Sequence, residues 1–271
     1  MSRLLLAAYF SSALALSAAE SPPVGTAARC AAELSARQLA ATSIVARLRV
    51  ILTELKTGKE TTLRGAYISD AAGNMRLRVT AETGQLLLDF GARGDALEIC
   101  VPDKARFYRG AREELQGLPQ AVLLPLARCT KARELFFPTV NSESGAIVPE
   151  RPLQRFALDG RAYFNAPASG GLTRRMSVDA RQARVESIEW FKRGGGSSGR
   201  MEYSGYQDRA YPGRIRIVPP GSLFHLTLEV EELSLNVPLA PEKFTVPVPA
   251  GCKCETLSGA LNANGEFWKR R

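Results

Sequence analysis

Apolar and polar residues alternate in one segment after another of this chain, and this alternation constrains its fold most strongly. In RLRVILTEL, Leu48, Val50 and Leu52 share one face of an extended strand, while arginine side chains take the other face. Similar segments recur at roughly ten-residue spacing up to residue 110, separated by short turns rich in glycine, aspartate and asparagine. Spacing of this kind predicts an antiparallel meander.

The pattern is interrupted once and then resumes. Residues 111–137 have a helical composition broken by Pro119 and Pro125, which predicts one or two short helices, and residues 138–152 are predicted to form a loop. Seven further strand-like segments follow: LQRFAL, RAYFNA, LTRRMSVD, RVESIEWFKR, GRMEYSGY, GRIRIV and LFHLTLEVEEL. An alanine-rich stretch at residues 31–43 predicts a helix before the first strand.

So many strands cannot form one flat sheet without curling or splitting. We therefore predict a mainly β fold with helices (α+β). Its strongly curved antiparallel sheet would form an unclosed half-barrel, with helices covering the concave face. The alternative is a sandwich of two stacked sheets with the helices outside.

The N-terminus has the pattern of a signal peptide. Arg3 provides a positive charge, Leu4 to Leu16 form an uncharged apolar run, and small residues follow at Ser17-Ala18-Ala19. The apolar run is shorter than the about 20 residues needed to span a bilayer. We expect a periplasmic protein without a transmembrane segment in its mature chain. It should not be lipidated, because no cysteine follows the Leu-Ser-Ala sequence.

The predicted organisation has four parts. They are a signal peptide (residues 1–19), a linker (20–30), one β domain (31–251) and a C-terminal tail (252–271). We expect the mature protein to be a monomer.

Cysteine usage points to disulfides rather than to a metal site. The sequence has five cysteines: Cys30, Cys100, Cys129, Cys252 and Cys254. In an exported chain an odd number predicts one or two disulfides and at least one remaining thiol, with the connectivity left open. Cys252-Lys253-Cys254 is too sparse to bind zinc by itself. No metal and no cofactor are predicted.

The formal charge of +9 raises the possibility of nucleic acid as a partner. However, the basic residues occur singly between apolar ones, as in MRLRV and GRIRIV, and no Lys/Arg run marks a phosphate-binding groove. We therefore interpret them as the solvent-facing side of strands and predict no nucleic-acid binding.

The sequence offers little for catalysis. His225 is the only histidine, and it alternates with apolar neighbours on a predicted strand, so it is interpreted as a partly solvated strand residue. Glu202, Glu229, Glu231 and Glu232 are acidic residues on strand faces, and RGGGSSGR lacks the lysine and Ser/Thr of a phosphate-binding loop. No catalytic residue is assigned, and the chain is predicted not to be an enzyme.

The apolar faces of the strands are more informative. A packed core is the simplest interpretation, but a curved sheet with only a few helices could leave part of the face unfilled. Such a cleft suits an acyl chain, because each methylene removed from water contributes about 0.8 kcal/mol. The candidate cavity residues are Leu48, Val50, Leu52, Met75, Leu77, Val79, Leu86, Leu88, Phe90, Met201, Tyr203, Ile215, Ile217, Phe224, Leu226 and Leu228.

The order of these segments resembles the LolA/LolB superfamily of periplasmic lipoprotein carriers, especially its uncharacterised LolA-like branch. The similar segments are the helix before RLRVILTEL, the hairpin MRLRVTAETGQLLLDFG, GDALEICVPDKARFYRG, MEYSGYQDRAYPGRIRI and the closing LEVEELSLNVPLAPEKFTVPVPAG. Together they cover roughly residues 31–251. The lipidated cysteine and projecting apolar loop of the membrane-anchored type are missing from this sequence.

The resemblance implies an unclosed barrel with a helical lid over an apolar cavity. It also implies acyl chains or a lipidated protein as the partner, in outer-membrane lipoprotein sorting or transport. No lid residue or catalytic residue is carried over from the family. We predict a periplasmic lipid- or lipoprotein-binding carrier. The alternative is a non-enzymatic envelope sensor or protein-interaction module on the same fold, with an envelope protein as its partner.

Overall fold

One continuous sheet organises the computed structural model, which describes residues 25–111, 114, 132–140, 148–149, 160–168, 171–206, 210–221 and 223–258. Its strands in chain order are β1 Ser43–Glu54, β2 Glu60–Asp70, β3 Met75–Thr80, β4 Leu86–Arg93, β5 Ala96–Val101, β6 Arg106–Ala111, β7 Val148–Pro149, β8 Arg161–Ala168, β9 Leu172–Asp179, β10 Arg184–Phe191, β11 Ser197–Ser204, β12 Arg214–Val218, β13 Phe224–Leu235 and β14 Lys253–Thr256. The spatial order is β14-β6-β5-β4-β3-β2-β1-β13-β12-β11-β10-β9-β8-β7, and its two ends do not pair, so the sheet is open.

Two meanders meet at the centre of this sheet. Strands β1 to β6 form the first and β8 to β13 the second, and the long strands β1 and β13 pair antiparallel between them. A bulge interrupts this pairing, because Arg47 lies opposite Glu232 while the next residue, Leu48, lies opposite Val230. Bulges increase the local twist of a sheet. The mainly β class and the unclosed sheet are confirmed, and the described strands form a single sheet instead of a sandwich.

The alternation seen in the sequence divides the sheet into two faces. The inner face carries the main hydrophobic cluster, which includes Leu48, Leu77 and Leu228. The outer face of the central strands carries ion pairs between arginines and carboxylates, such as Arg47 with Glu232. Helices covering a concave face remain a prediction, because most of residues 111–137 lie outside the described residues. The predicted strand LQRFAL lies outside them as well.

A single helix, α1 Gly25–Ala40, packs against the inner face in the part of the chain that the structure describes. Cys30, Ala31 and Leu34 on one side of α1 are buried in the main cluster. The predicted linker at residues 20–30 is therefore wrong in its last part, since the helix begins at Gly25. The alanine composition of AAELSARQLA favours helix, and the helix extends further towards the N-terminus than the apolar pattern indicated.

The proline-rich stretch after β13 forms a strap across the outer face of the first meander. We define the strap as residues 236–252. It leaves β13 at Asn236, which adopts a positive φ of 60°, and includes a 3-10 turn at Pro241–Phe244. The strap leads into β14, which pairs in parallel with β6. The predicted tail at residues 252–271 is thus partly wrong, because Lys253–Thr256 form an edge strand and Leu257 is buried in the main cluster.

Candidate functional site

Burial on the inner face decreases along the strands towards one end of the sheet. Along β1, Leu48 and Val50 are fully buried, whereas Leu52 is only half-buried. The same change occurs between Tyr67 and Leu63 on β2. At the half-buried end, apolar surface is already presented to solvent on a face that elsewhere is core.

We call this half-buried region the apolar mouth and define it by Leu52, Leu63, Leu88 and Phe224. Leu52, Leu63 and Leu88 are half-buried and pack against the main cluster. Phe224 is also half-buried and lies two residues before Leu226 on the same face of β13. Pairing places Leu63 opposite Val50, and Leu88 opposite Val79. The mouth therefore continues the packed core without a polar break.

Two exposed leucines extend apolar surface at the same end. Leu55 and Leu223 are 50% and 65% exposed, and the backbone N–H of Leu55 donates to the carbonyl of Leu223 at 2.7 Å. Leu55 directly follows β1 and Leu223 directly precedes β13, so both lie next to the apolar mouth.

The middle of the inner face is filled by the chain itself. Residues 132–140, here called the plug, include a 3-10 turn at Ala132–Leu135 and the buried side chains of Phe136 and Phe137. The ring of Phe136 meets Tyr67 of β2 edge-on, with ring centroids 5.2 Å apart. A ligand on this face has to lie beyond the plug, towards the mouth, unless the plug moves.

Polar contacts hold the plug between α1 and the sheet. The Arg133 guanidinium donates from Nη1 to the carbonyls of Gln38, at 2.7 Å, and Ala41, at the C-terminal end of α1. Burial lowers the pKa of Arg133, but the pKa remains that of a charged guanidinium. On the opposite side, Glu134 and Arg174 of β9 form a buried ion pair at 3.7 Å.

The outer face under the strap carries a second set of buried charges. Asp89 is 1% exposed and accepts hydrogen bonds from Arg76, from Nε at 2.8 Å and Nη2 at 2.6 Å. These hydrogen bonds raise the pKa of Arg76. The same guanidinium donates from Nη1 to the strap carbonyl of Lys243 at 3.0 Å. The strap N–H of Val246 donates to Glu98, which is also buried, at 3.2 Å.

Close packing also requires a glycine beneath the strap. A Cβ added at Gly91 of β4 would lie 2.7 Å from Cγ2 of Val246 and 3.1 Å from the carbonyl oxygen of Phe244. At this point the strap therefore lies directly on the sheet backbone.

A surface groove of about 410 Å³ lies where the strap begins. Thr42, Ser43, Asp70 and Asn236 give its wall a polar character, and Leu239 contributes apolar surface. Thr42 donates to the Asn236 side chain, from N at 2.7 Å and Oγ1 at 2.9 Å. None of the predicted cavity residues lines this groove.

Most predicted cavity residues lie on one face, as expected, but they are packed core. The fully buried members of the main cluster are Leu48, Val50, Met75, Leu77, Val79, Phe90, Met201, Tyr203, Ile215, Ile217, Leu226 and Leu228. Leu52, Leu86, Leu88 and Phe224 are half-buried. A ligand cavity remains a prediction, and only these last four positions are accessible enough to contribute to it. Leu63 was missed because Thr61 and Gly65 interrupt the apolar alternation of β2.

The residues considered for catalysis are engaged by arginines on the outer face. His225 faces Arg216, with Nδ1 and Nη2 3.5 Å apart, and burial followed by this positive charge lowers its pKa. Glu229 pairs with Arg49 and Arg214, and Glu231 with Arg47 and Arg49. These carboxylates thus stabilise strand pairing on the outer face. Among the described residues, no group of His, Cys, Asp and Glu has the arrangement of a metal site.

Four cysteines lie in the described residues, all as free thiols, and Cys129 lies outside them. Cys30 is buried in α1 and donates to the carbonyl of Ala180 at 3.3 Å. Cys100 is buried on the outer face of β5, and Cys252 packs against the same small cluster. Cys254 is exposed on β14.

Solved structures share this architecture. No protein-family model and no curated protein matches the sequence. A LolA superfamily protein from Nitrosomonas europaea aligns with a TM-score of 0.54 at 14% identity, covering 81% of this chain and 97% of its own. A putative outer membrane lipoprotein-sorting protein domain from Vibrio parahaemolyticus aligns with a TM-score of 0.53 at 11% identity, covering 81% of this chain and 96% of its own.

The fold is therefore that of an open sheet of the LolA type. At these identities the likeness concerns the fold alone. Within the described residues, no helix has the length and apolar character needed to cross a bilayer.

Proposed function

We propose that this chain is an exported, non-enzymatic binding protein that carries acyl chains, free or attached to a lipoprotein, at the apolar mouth of its sheet. The single observation that carries the proposal is the burial gradient on the inner face. Leu52, Leu63 and Leu88 continue the core but keep part of their surface in contact with water. An acyl chain laid along them would remove that surface from water at about 25 cal/mol per Å².

The surrounding residues suit a long apolar ligand. Phe224 and the exposed Leu55 and Leu223 extend the apolar surface beyond the strand ends. Apolar surface of this kind, with few polar groups to orient a ligand, matches a flexible chain better than a small polar metabolite. The names of the two structural neighbours, a LolA superfamily protein and a lipoprotein-sorting domain, support the same class of ligand.

A non-enzymatic role agrees with the positions of the ionisable groups. His225 contacts Arg216, and the carboxylate of Glu229 forms ion pairs with Arg49 and Arg214, all on the face of the sheet opposite the mouth. Export to the periplasm rests on the signal-peptide pattern of residues 1–19. Mass-spectrometric determination of the N-terminus after expression with secretion would test it, and an intact Met1 on protein that stays in the cytoplasm would contradict it.

Displacement of a fluorescent fatty acid from the purified protein tests ligand binding directly. We expect Leu63→Gln and Leu88→Gln to weaken binding about tenfold each, because each change removes one to two methylene contacts of about 0.8 kcal/mol. Leu39→Gln on α1 is the matched control, since Leu39 is 71% exposed and precedes the start of β1, whereas Leu52 lies near the other end of that strand. Circular dichroism would confirm that the variants are folded.

Native mass spectrometry of protein isolated from the periplasm gives a second readout. A bound species with the mass of a lipid or an acylated peptide supports the proposal. An unoccupied protein that also fails to bind the fluorescent fatty acid contradicts it. A stoichiometric protein partner together with absence of lipid would favour the alternative, an envelope interaction module.

A further inference from the structure

Two cysteines that are far apart in the sequence meet beneath the strap. Cys100 of β5 is 0% exposed and forms a small outer-face cluster with Phe107 and Val246, and Cys252 packs against this cluster. The cluster lies on the opposite side of the sheet from the main core and from the apolar mouth. Its two thiols have no part in the proposed binding function.

The backbone holds Cys252 in this position. The N–H of Cys252 donates to the carbonyl of Pro249 at 3.2 Å and so closes a turn. Gly251 provides the positive φ of 81° that this turn requires. The next N–H, of Lys253, donates to the carbonyl of Ala105 at 2.8 Å and starts the pairing with β6. Cys252 is therefore fixed from both sides.

The electrostatics of Cys100 agree with the packing of Cys252 against its cluster. Burial raises the pKa of the Cys100 thiol to about 11, and the neighbouring Cys252 thiol adds to this increase, in part through a side-chain hydrogen bond. Because both side chains pack in one small cluster, small side-chain rotations can bring the two sulfurs together.

The other described cysteines are badly placed for either thiol. Cys254 lies opposite Phe107, and Phe107 lies opposite Cys100, so Cys254 is two strand spacings from Cys100. That separation is about 9–10 Å, beyond the about 7 Å that a disulfide tolerates between Cα atoms. Cys30 lies in α1 on the inner face, where it bonds to Ala180.

We propose that Cys100 and Cys252 form a disulfide that fastens the strap to the sheet when the protein is in an oxidising compartment. In this reaction the two thiols lose two protons and two electrons, and one sulfur–sulfur bond forms. The electrons pass to a disulfide of the oxidant, either a protein disulfide or oxidised glutathione, which becomes two thiols. The link would hold β14 on the edge of β6 and leave Cys254 free beside it.

Peptide mapping of the full chain tests the pairing, because trypsin separates all five cysteines. Cys100 lies in the peptide of residues 94–104, Cys252 in 244–253 and Cys254 in 254–269. The protein is refolded in a glutathione redox buffer, free thiols are alkylated in denaturant, and the digest is analysed without reductant. We expect peptides 94–104 and 244–253 to be joined, and to separate after reduction.

Two variants serve as a matched pair. Cys252→Ser should leave the peptide of residues 94–104 alkylated, whereas Cys254→Ser should leave the link unchanged. Alkylation of both Cys100 and Cys252 in the oxidised wild-type chain overturns the proposal, and so does a link from Cys100 to any other cysteine. Because no ligand takes part, this result is independent of whether the protein binds acyl chains.

Discussion

The buried ion pair under the strap leads to the most specific prediction about stability. Asp89 is 1% exposed, Arg76 is 13% exposed, and two hydrogen bonds of 2.8 and 2.6 Å join them. The change Asp89→Ala leaves the Arg76 guanidinium with the carbonyl of Lys243 as its remaining partner. Removing one member of a buried pair typically costs about 3–5 kcal/mol.

We expect a loss near the lower limit, about 3 kcal/mol, because Arg76 keeps its bond to the strap and some access to water. For a chain of this size that corresponds to a decrease in Tm of about 6–12 °C. Urea unfolding followed by circular dichroism would measure the free energy. Replacing both residues, Arg76→Leu with Asp89→Leu, should recover most of the loss, because no unpaired charge then stays buried.

An exposed pair with the same separation provides the control. Arg47 and Glu232 also approach to 2.6 Å, but their side chains are 60% and 65% exposed. Glu232→Ala should therefore cost less than about 1 kcal/mol. If Asp89→Ala and Glu232→Ala destabilise the protein equally, burial does not set the strength of these pairs and the reasoning is refuted.

Three further predictions concern the strap, the plug and the outer face. Gly91→Val should loosen the strap, because the added side chain collides with Val246, and it should raise the amide exchange rate of residues 244–256 at least tenfold. Arg133→Met should expose the C-terminal end of α1 and speed its amide exchange about 30-fold, since two charge-assisted hydrogen bonds worth about 2 kcal/mol together are lost. His225 should make the protein less stable below about pH 6.5, because its lowered pKa lets the unfolded chain bind the proton first. His225→Gln should reduce this pH dependence in urea midpoints measured at pH 5.5 and 7.5.

Each of these has a clear contrary result. Gly94→Ala is the control for the strap, since nothing lies within 4 Å of the added Cβ, although the φ of 55° at Gly94 makes a small general loss expected. Unchanged exchange in the Gly91 variant would contradict the close contact. Equal exchange in α1 with and without Arg133 would show that the plug does not hold the helix. An unaltered pH profile in the His225 variant would assign the acid sensitivity to other groups.

Local sequence determined the strands and their faces. Alternation in RLRVILTEL and MRLRVTA correctly placed Leu48, Val50 and Leu77 on the inner face, because the side-chain period of a strand depends only on the backbone of that strand. The glycine, aspartate and asparagine residues that mark the turns between these strands are also local signals. They correctly predicted that β1 to β6 follow one another in the sheet. The ends of the helix were predicted less precisely, because the predicted helix covered residues 31–43 whereas α1 spans Gly25–Ala40.

Contacts between residues far apart in the chain could not be predicted from these local patterns. The pairing of β1 with β13 joins residues about 180 positions apart, as in Arg47 with Glu232. Likewise, no local pattern indicates which face of the sheet the strap covers, and Phe244 and Val246 lie on the outer side, above Gly91. The adjacent apolar residues Ile99-Cys100 and Phe107-Tyr108 did contain a signal that β5 and β6 are covered on both faces.

The candidate site shows the same division. Sequence alone determined which apolar residues share a face, since that follows from period two. Only the tertiary structure decided which of them stay accessible, because accessibility at Leu52, Leu63 and Leu88 depends on where the plug and α1 lie over the sheet. It also decided that Cys252 packs in the same cluster as Cys100, because the strap connects β13 to β14 and six strands of the sheet lie between these two. The spacing of the two cysteines in the chain carries no information about this distance.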